Sequence, residues 1–551
     1  MIRTAVRLAQ QNVNSEQQAK ATEENGTMKA NLKHMRNGEK YYVKSIEYKA
    51  FVLEMTKLLL EEMTGISFSE MEDSKLFQDV FLSVMHTYCP QSTITCDGTS
   101  KYRTIDGSCN NIVNPEWGQS YSSKPRFMKP DYRNGVMLPR TTGVDGTQLP
   151  SARLISNVLM KSVGDPVYES NLTLMMVAWG QFLTHDMMLT PPTSVRTYFL
   201  LFSFQCFNID VPRSDGYFNS TCMSFTRASP GPYRKCLLNG RDQINLQTSF
   251  IDSSNVYGST PERSAELRTF AGGDDRVNVV PNLQGFHTLF LREHNRIAKA
   301  LEAMNDHWTD EKIFQETRKI IGAIYQHVTY TQYLPNILNQ KYLKDFQLTE
   351  MKDDIYNNTI NPSIRNEFGA AAFRFGHSQV PRFMAYIFSN YTYAGKLDVK
   401  DLYGNPQIIE DSHGEHIPGF FRWLSWSRLY KTDRFLEDSV RNHLFFQKRR
   451  SFDLASINIQ RGRDQGIPPY NKWRLLCGLS AANDFKTTDG GLGSQRYRPV
   501  CRRTKVRNPS NDGLVGPTFA CIIARQFRDL KIGDRFWYGR QNVPIAFSKV
   551  E

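Results

Sequence analysis

The stretch WGQFLTHDMMLTPP, Trp179 to Pro192, concentrates more potential chemistry than any other in the chain. In a helix Gln181 and His185 stand four apart and share a face, while Asp186, next in line, points elsewhere, toward a different ligand. A lone histidine on a helix is more often structural than reactive, so this stretch gains meaning only from company. TSFIDSSNVYGS, Thr248 to Ser259, alternates Thr248, Phe250, Asp252 and Ser254. In extended chain their side-chain or backbone oxygens fall on one side, and hard oxygen donors so spaced suit Ca²⁺, with a distant Asp186 able to complete the shell. A polar turn carries the same letters. FRFGHSQV sets Arg374 and His377 three apart, on one helical face, and INIQRGRDQGIPPYNKW does the same for Asn458 and Arg461. Arg276 stands just ahead of a long helical pattern in GDDRVNVVPNLQGFHTLFLREHNRIA. His287 and His294 in that pattern are seven apart, which fits neither HExxH nor an i, i+4 metal pair, so both are expected to be structural.

Helices must position most of these groups. Apolar periodicity predicts them over Asn171–Met187 (with Ser170 as N-cap), Leu283–Met304, Asp310–Tyr333 (ending before Pro335), Ser363–His377 and Leu436–Gln447. Alternating strand patterns are few, and no repeat of 20 to 50 residues is visible. Residues 89–165 are rich in Gly, Pro, Asn and Ser and are expected to wrap irregularly over a core made elsewhere. Residues 1–88 are polar, with one or two helices and a propeptide-like character. The expected fold is mainly α: a helical N-terminal region over 1–88, then one large domain over 89–551 with few short strands.

Composition narrows the function classes. With 40% hydrophobic and 12% aromatic residues among 551, the chain can build a substantial core and is not a disordered one. No run of 18 apolar residues occurs, so a transmembrane helix is not expected. The net charge is 68 − 55 = +13, but it is spread along the chain without a basic block interleaved with aromatics, which argues against nucleic acid as a partner. Nine cysteines without a CxxC pair disfavour zinc. Together with sequons at Asn25, Asn171, Asn219, Asn357 and Asn390 they point to an oxidising, secretory compartment, hence an extracellular protein, although the N-terminal MIRTAVRLAQQNVNSEQQ lacks the apolar core of a signal peptide.

The five motifs, in this order from about Cys96 to Arg540, resemble the animal haem peroxidase family, of the myeloperoxidase and peroxidasin type and closest in impression to its arthropod members. The resemblance implies haem b and Ca²⁺ as cofactors, and hydrogen peroxide with a small-molecule or tyrosyl reductant (phenols or halides) as partners, oxidised via a ferryl intermediate. By the same resemblance His185 is the distal histidine beside Gln181, and Arg276 the distal arginine. His377 is the iron ligand, with Asn458 accepting from its ring N–H. Arg374 and Arg461 are propionate partners, and Asp186, Thr248, Phe250, Asp252 and Ser254 form the Ca²⁺ shell. Cys96–Cys109 and Cys477–Cys521 match family disulfides in context.

The sequence departs from that pattern in places. Typical members carry Asp and Glu, esterified to haem methyls, where this chain has Thr184 and Val279; Val280 offers no sulfur for a sulfonium link. Haem is therefore expected to be bound non-covalently. The segment after Pro192 diverges, leaving Cys206–Cys222 as a possible substitute disulfide, and the chain stops soon after GDRFWYG, where the family usually continues. These losses leave a second reading, a catalytically weakened, peroxidase-like extracellular binding or matrix-associated protein.

Overall fold

The computed structural model describes residues 1–18, 37–85, 88, 94–162, 164–193, 206–232, 240–267, 272–349, 354–405, 415–447, 450–482, 513–541, 543 and 546–547. The expectation of a mainly α fold holds: helices carry the core, and the strands among the described residues form only short, two-stranded antiparallel ladders.

The centre is built by three helices. Pro281–Met304 starts with proline in its first turn, where a missing N–H costs nothing. It turns back through Thr309, whose side chain caps the next helix, Asp310–Val328, by accepting from the Lys312 amide. Against this pair lies the helix Met175–Met187. The three meet in an aromatic cluster: Phe182 stacks on Phe286 at 4.9 Å between ring centroids, Phe290 leans on Tyr325 at 4.4 Å, and Trp179 fills the gaps. Such rings bury much apolar area, and their offset and edge-on geometry adds specificity. The C-terminal helix Pro517–Ile532 closes the core from another side, where Phe527 meets Phe368 and Phe373.

Several sequence-based boundaries shift. The helix expected from Asn171 begins at Met175, because Tyr168–Thr173 pairs as a strand with Arg428–Tyr430 and the Leu174 amide donates to the Ser427 carbonyl. Helicity does not stop before Pro335: a π-turn at Thr329–Tyr333 leads into Leu334–Ile337, which has proline in its first turn. Ser363–His377 resolves into a short helix, Asn366–Ala370, and a 3₁₀ segment, Ala372–Gln379. Leu436–Gln447 is helical only over Asp438–Arg441; Asn442 and His443 both donate back to the Asp438 carbonyl, and Leu444–Gln447 leaves as a strand paired with Arg450–Phe452. In the first case pairing with a distant segment overrides local periodicity, and in the last a hairpin with the next few residues does.

Residues 94–151 wrap irregularly, as their composition predicts, but Ala152–Ile155 and Ser156–Met160 are helical, and the segment is pinned by buried charge. Arg153 binds Asp215 and Asp453 (2.7 and 2.6 Å), and Cys96 is joined to Cys109. Cys477–Cys521 is also formed. The substitute disulfide Cys206–Cys222 is not. Cys222 pairs across its ladder with Asp210 and is an exposed thiol, while Cys206 lies opposite Thr226, so the register keeps the two apart. Cys89, Cys236 and Cys501 fall outside the described residues. Among the described residues the N-terminal region forms four helices, Ile2–Gln18, Asn37–Thr64, Phe68–Asp73 and Lys75–Met85, more than the one or two expected. They share an apolar cluster with Val136 and Met137, and Ser229 donates to the buried Glu47 carboxylate. No helix among the described residues is long and apolar enough to cross a membrane.

Candidate active site

One cavity of about 400 Å³ collects most of the residues singled out in the sequence: Gln181, His185, Arg276, His377, Arg374 and Arg461 all line it. Its remaining walls are chiefly apolar, the usual make-up of a site that takes a large planar ligand.

The Met175–Met187 helix brings Gln181 and His185 to the cavity. His185 is buried, and its Nδ1 finds no partner among the described residues. Burial first, then the Arg276 cation, holds its pKa well below the ordinary 6.5, so the imidazole is neutral and able to accept a proton. Arg276 is fixed by Asp274. Its Nε donates to Asp274 Oδ1 at 2.8 Å, its Nη2 also contacts this carboxylate, and Nη2 reaches the carbonyls of His185 and Met188 (3.2 and 3.0 Å). Burial alone would raise the Asp274 carboxyl, but Arg276 outweighs it and holds the group below the usual carboxylate range. Gln181 Oε1 accepts from Asn282 Nδ2 at 3.2 Å.

The 3₁₀ segment Ala372–Gln379 presents Arg374 and His377. The helix Leu454–Asp464, capped by Asp453 on the Ala455 and Ser456 amides, presents Asn458 and Arg461. Asn458 Nδ2 lies 2.8 Å from His377 Nδ1, and Arg374 Nη1 donates to Asn458 Oδ1 at 2.7 Å. Without haem the polarity is the reverse of the one expected with it. Arginine can only donate, so it claims the amide oxygen of Asn458, and the amide N–H₂ is left to donate to the imidazole rather than accept from it. His377 Nδ1 is the acceptor, and the ring proton sits on Nε2. Burial, with Arg374 adding, pushes the His377 pKa down to about 3, so the ring is neutral, the form a metal binds. Arg461 is held by Asp464 at 2.7 Å.

Asp186 turns away from the cavity into the 248–255 loop. Its Oδ2 accepts from the amides of Asp252 and Ser253 (3.1 and 3.2 Å) and its Oδ1 from the Asn255 amide (3.2 Å). Ser254 Oγ donates to the Asp186 carbonyl at 2.7 Å, and Thr248 Oγ1 to Asp252 Oδ1 at 2.9 Å. Both carboxylates are buried. Burial and then mutual repulsion raise Asp186 well above the ordinary range, and burial raises Asp252 despite Arg103 and Arg318 nearby. Asp252 Oδ2 has no partner among the described residues. Phe250 is buried in the same loop. Two crowded carboxylates with an orphaned oxygen fit a hard cation. No group of three or more His, Cys, Asp or Glu converges among the described residues, so such a cation would draw the rest of its shell from hydroxyls and carbonyls.

Thr184 and Val279 do line the cavity, and no described lining residue is Asp or Glu. The Thr184 hydroxyl is spent on the Gly180 carbonyl at 2.7 Å. His287 and His294 take no part: His287 is buried against Phe182, and His294 Nδ1 meets the Tyr257 hydroxyl at 2.8 Å. Sequence reasoning missed Asp274, Asn282 and Lys124. Asp274 had a signal, its place two residues before Arg276; the other two stand in no pattern.

The family model for animal haem peroxidase matches residues 102–274, 269–498 and 506–551. The chain is 31% identical to mouse myeloperoxidase, covering 93% of this chain and 81% of that protein. It is 32% identical to Aedes aegypti chorion peroxidase (83% and 65%) and 32% identical to Drosophila melanogaster peroxidasin (93% and 37%). The chain thus spans little more than a third of that peroxidasin and just under two thirds of the chorion peroxidase. Among solved structures, peroxidase A from Dictyostelium discoideum superposes with a TM-score of 0.66 at 27% identity, over 80% of this chain and 93% of that one. The Arabidopsis thaliana fatty acid alpha-dioxygenase superposes with a TM-score of 0.61 at 15% identity, a likeness of fold alone.

Proposed function

Because the chain belongs to the animal haem peroxidase family and is a peroxidase by descent, we propose that its cavity holds haem b and uses hydrogen peroxide to oxidise a small reductant, a phenol, a tyrosyl group or a halide. One observation carries this reading: two neutral histidines, His185 buried and His377 half-buried, line a single cavity, one beside a fixed guanidinium and the other backed by an amide. The lining suits haem, since it is apolar, bears cations for two propionates and offers a neutral imidazole for the metal.

When bound, haem would supply the oxidising equivalents. His377 would ligate the iron through Nε2, which must then give up its proton. The ring hydrogen would pass to Nδ1, and the Asn458 amide would turn over to accept it, released by Arg374 as that guanidinium engages a propionate. Arg461, braced by Asp464, is the second propionate partner. His185, kept neutral by burial and by Arg276, takes a proton from one peroxide oxygen and returns it to the other. Arg276, locked on Asp274, stabilises negative charge on the departing oxygen. Gln181, steered by Asn282, is placed to hold a water or a peroxide oxygen.

Asp186, Asp252, Thr248, Ser254 and the Phe250 backbone carbonyl are assigned to Ca²⁺. The cation would relieve the repulsion between the two carboxylates and fix the helix that presents His185. With Thr184 and Val279 in place of carboxylates, haem is held without ester links. Two disulfides and the exposure of Asn171, Asn219, Asn357 and Asn390 support an extracellular, glycosylated protein. The test is direct: added haem should give a Soret band, and the loaded protein should oxidise a phenol only when peroxide is present.

A further inference from the structure

Lys124 belongs to none of the motifs above. It follows the two-residue strand Ser122–Ser123, paired with Ile244–Asn245, and its own amide donates to the Gln243 carbonyl at 2.8 Å. It is buried, at 5% exposure, and lines the cavity. Four lysine and arginine side chains therefore share that lining: Lys124, Arg276, Arg374 and Arg461. Two of them are answered by carboxylates, Arg276 by Asp274 and Arg461 by Asp464. Arg374 donates only to neutral oxygens, those of Gly369 and Asn458. The Lys124 ammonium has no carboxylate partner among the described residues. Gly369 leaves room for it, since a Cβ there would come within 3.4 Å of Lys124 Nζ and 2.7 Å of Met188 Sδ.

An unpaired ammonium in an apolar site is expensive. Burial, then the guanidiniums of Arg374, Arg276 and Arg461, push Lys124 down to about 7. A charge placed at such cost among other cations is relieved by an anion, and the two cations without a carboxylate, Lys124 and Arg374, match a ligand with two of them.

We propose that Lys124 binds a haem propionate, sharing the two carboxylates of the group with Arg374 and Arg461 and supplying retention in a cavity where Thr184 and Val279 permit no ester. The inference rests on the cavity being a haem site. A carboxylate could also arrive on an anionic substrate, and the test separates the two sources.

Haem and its dimethyl ester are each loaded, without peroxide, into the native protein, Lys124→Met and Lys124→Arg, and release is followed by transfer to excess apomyoglobin. Lys124→Met should release haem about tenfold faster than native, equivalent to about 1.4 kcal/mol. It should release the dimethyl ester, which has no propionate charge, within about twofold of the native rate. Lys124→Arg should stay close to native for both. The ligand-free Lys124→Met protein should melt no lower than native, since an uncompensated buried charge has been removed. Equal acceleration for haem and ester would assign Lys124 to packing and overturn the proposal, and unchanged release of both would overturn it too. Unchanged haem release with a raised KM for a carboxylated phenol, but not for phenol itself, would overturn it in favour of an anionic substrate. A native protein that gives no Soret band with added haem would remove the haem site itself, a failure distinct from one confined to the variants.

Discussion

His377 and His185 are the same residue type in the same cavity, and their neighbours separate their work. His377 has an amide at 2.8 Å that fixes its ring, whereas His185 has a buried Nδ1 without a partner among the described residues and a guanidinium bound to its own carbonyl. His377→Ala should therefore abolish haem retention, read as loss of the Soret band. Asn458→Ala should keep haem but weaken the axial bond, visible as a shifted ligand-to-iron Raman stretch. His185→Ala should slow the reaction with peroxide by roughly two to four orders of magnitude in stopped flow. Arg276→Lys keeps the charge but loses the fork that grips Asp274, so it should be slowed as well. The shared faces of Gln181 with His185, Arg374 with His377 and Asn458 with Arg461 were legible from spacing, while their roles were legible only through the resemblance of the motifs. The polarity of the His377–Asn458 contact was not, since it depends on which atom Arg374 claims. Lys124 and Asn282 were invisible for another reason: each stands alone in sequence and acquires its setting only from segments far along the chain.

At the scale of elements, the Met175–Met187 helix has two outputs, His185 into the cavity and Asp186 into the 248–255 loop. Removing the cation should leave Asp186 and Asp252 facing each other without compensation. Asp252→Ala should lower calcium content, by metal analysis, and broaden the haem spectrum as the helix loosens. Chelation of the native protein should lower its melting temperature, and a melting temperature insensitive to chelator would make the loop a polar turn only. The loop's alternating oxygens were readable because the proposed Ca²⁺ site would restrict residue types. The helix start was not, because Tyr168–Thr173 is claimed by pairing with Arg428–Tyr430, a contact more than 250 residues distant that no local window contains.

Over the whole molecule, burial of neutral histidine sets an acid limit. His287 is buried with neither ring nitrogen partnered among the described residues, and burial pushes its pKa from 6.5 to about 4, with Asp274 and Arg276 acting in opposite directions. The native state refuses a proton that the unfolded chain accepts below about 6.5, so this contribution is complete above that pH and is lost as pH falls toward about 4. Denaturant titrations of the ligand-free protein should show a share of about 2 kcal/mol lost between pH 7.5 and 5 that is absent in His287→Phe. An equally steep acid limb in that variant would contradict the assignment.

The proposed cavity holds haem by ligation, charge and packing alone, a claim that the fate of haem after peroxide turnover puts to the test. The loaded protein is treated with peroxide, denatured and extracted with acidified organic solvent, and the peptides spanning Thr184 and Val279 are weighed by mass spectrometry. All haem should pass into the solvent and both peptides should keep their unmodified masses, whereas the double variant Thr184→Asp, Val279→Glu should retain part of its haem on one or both. Haem that stays with the native chain, on these or any other peptide, would contradict the claim.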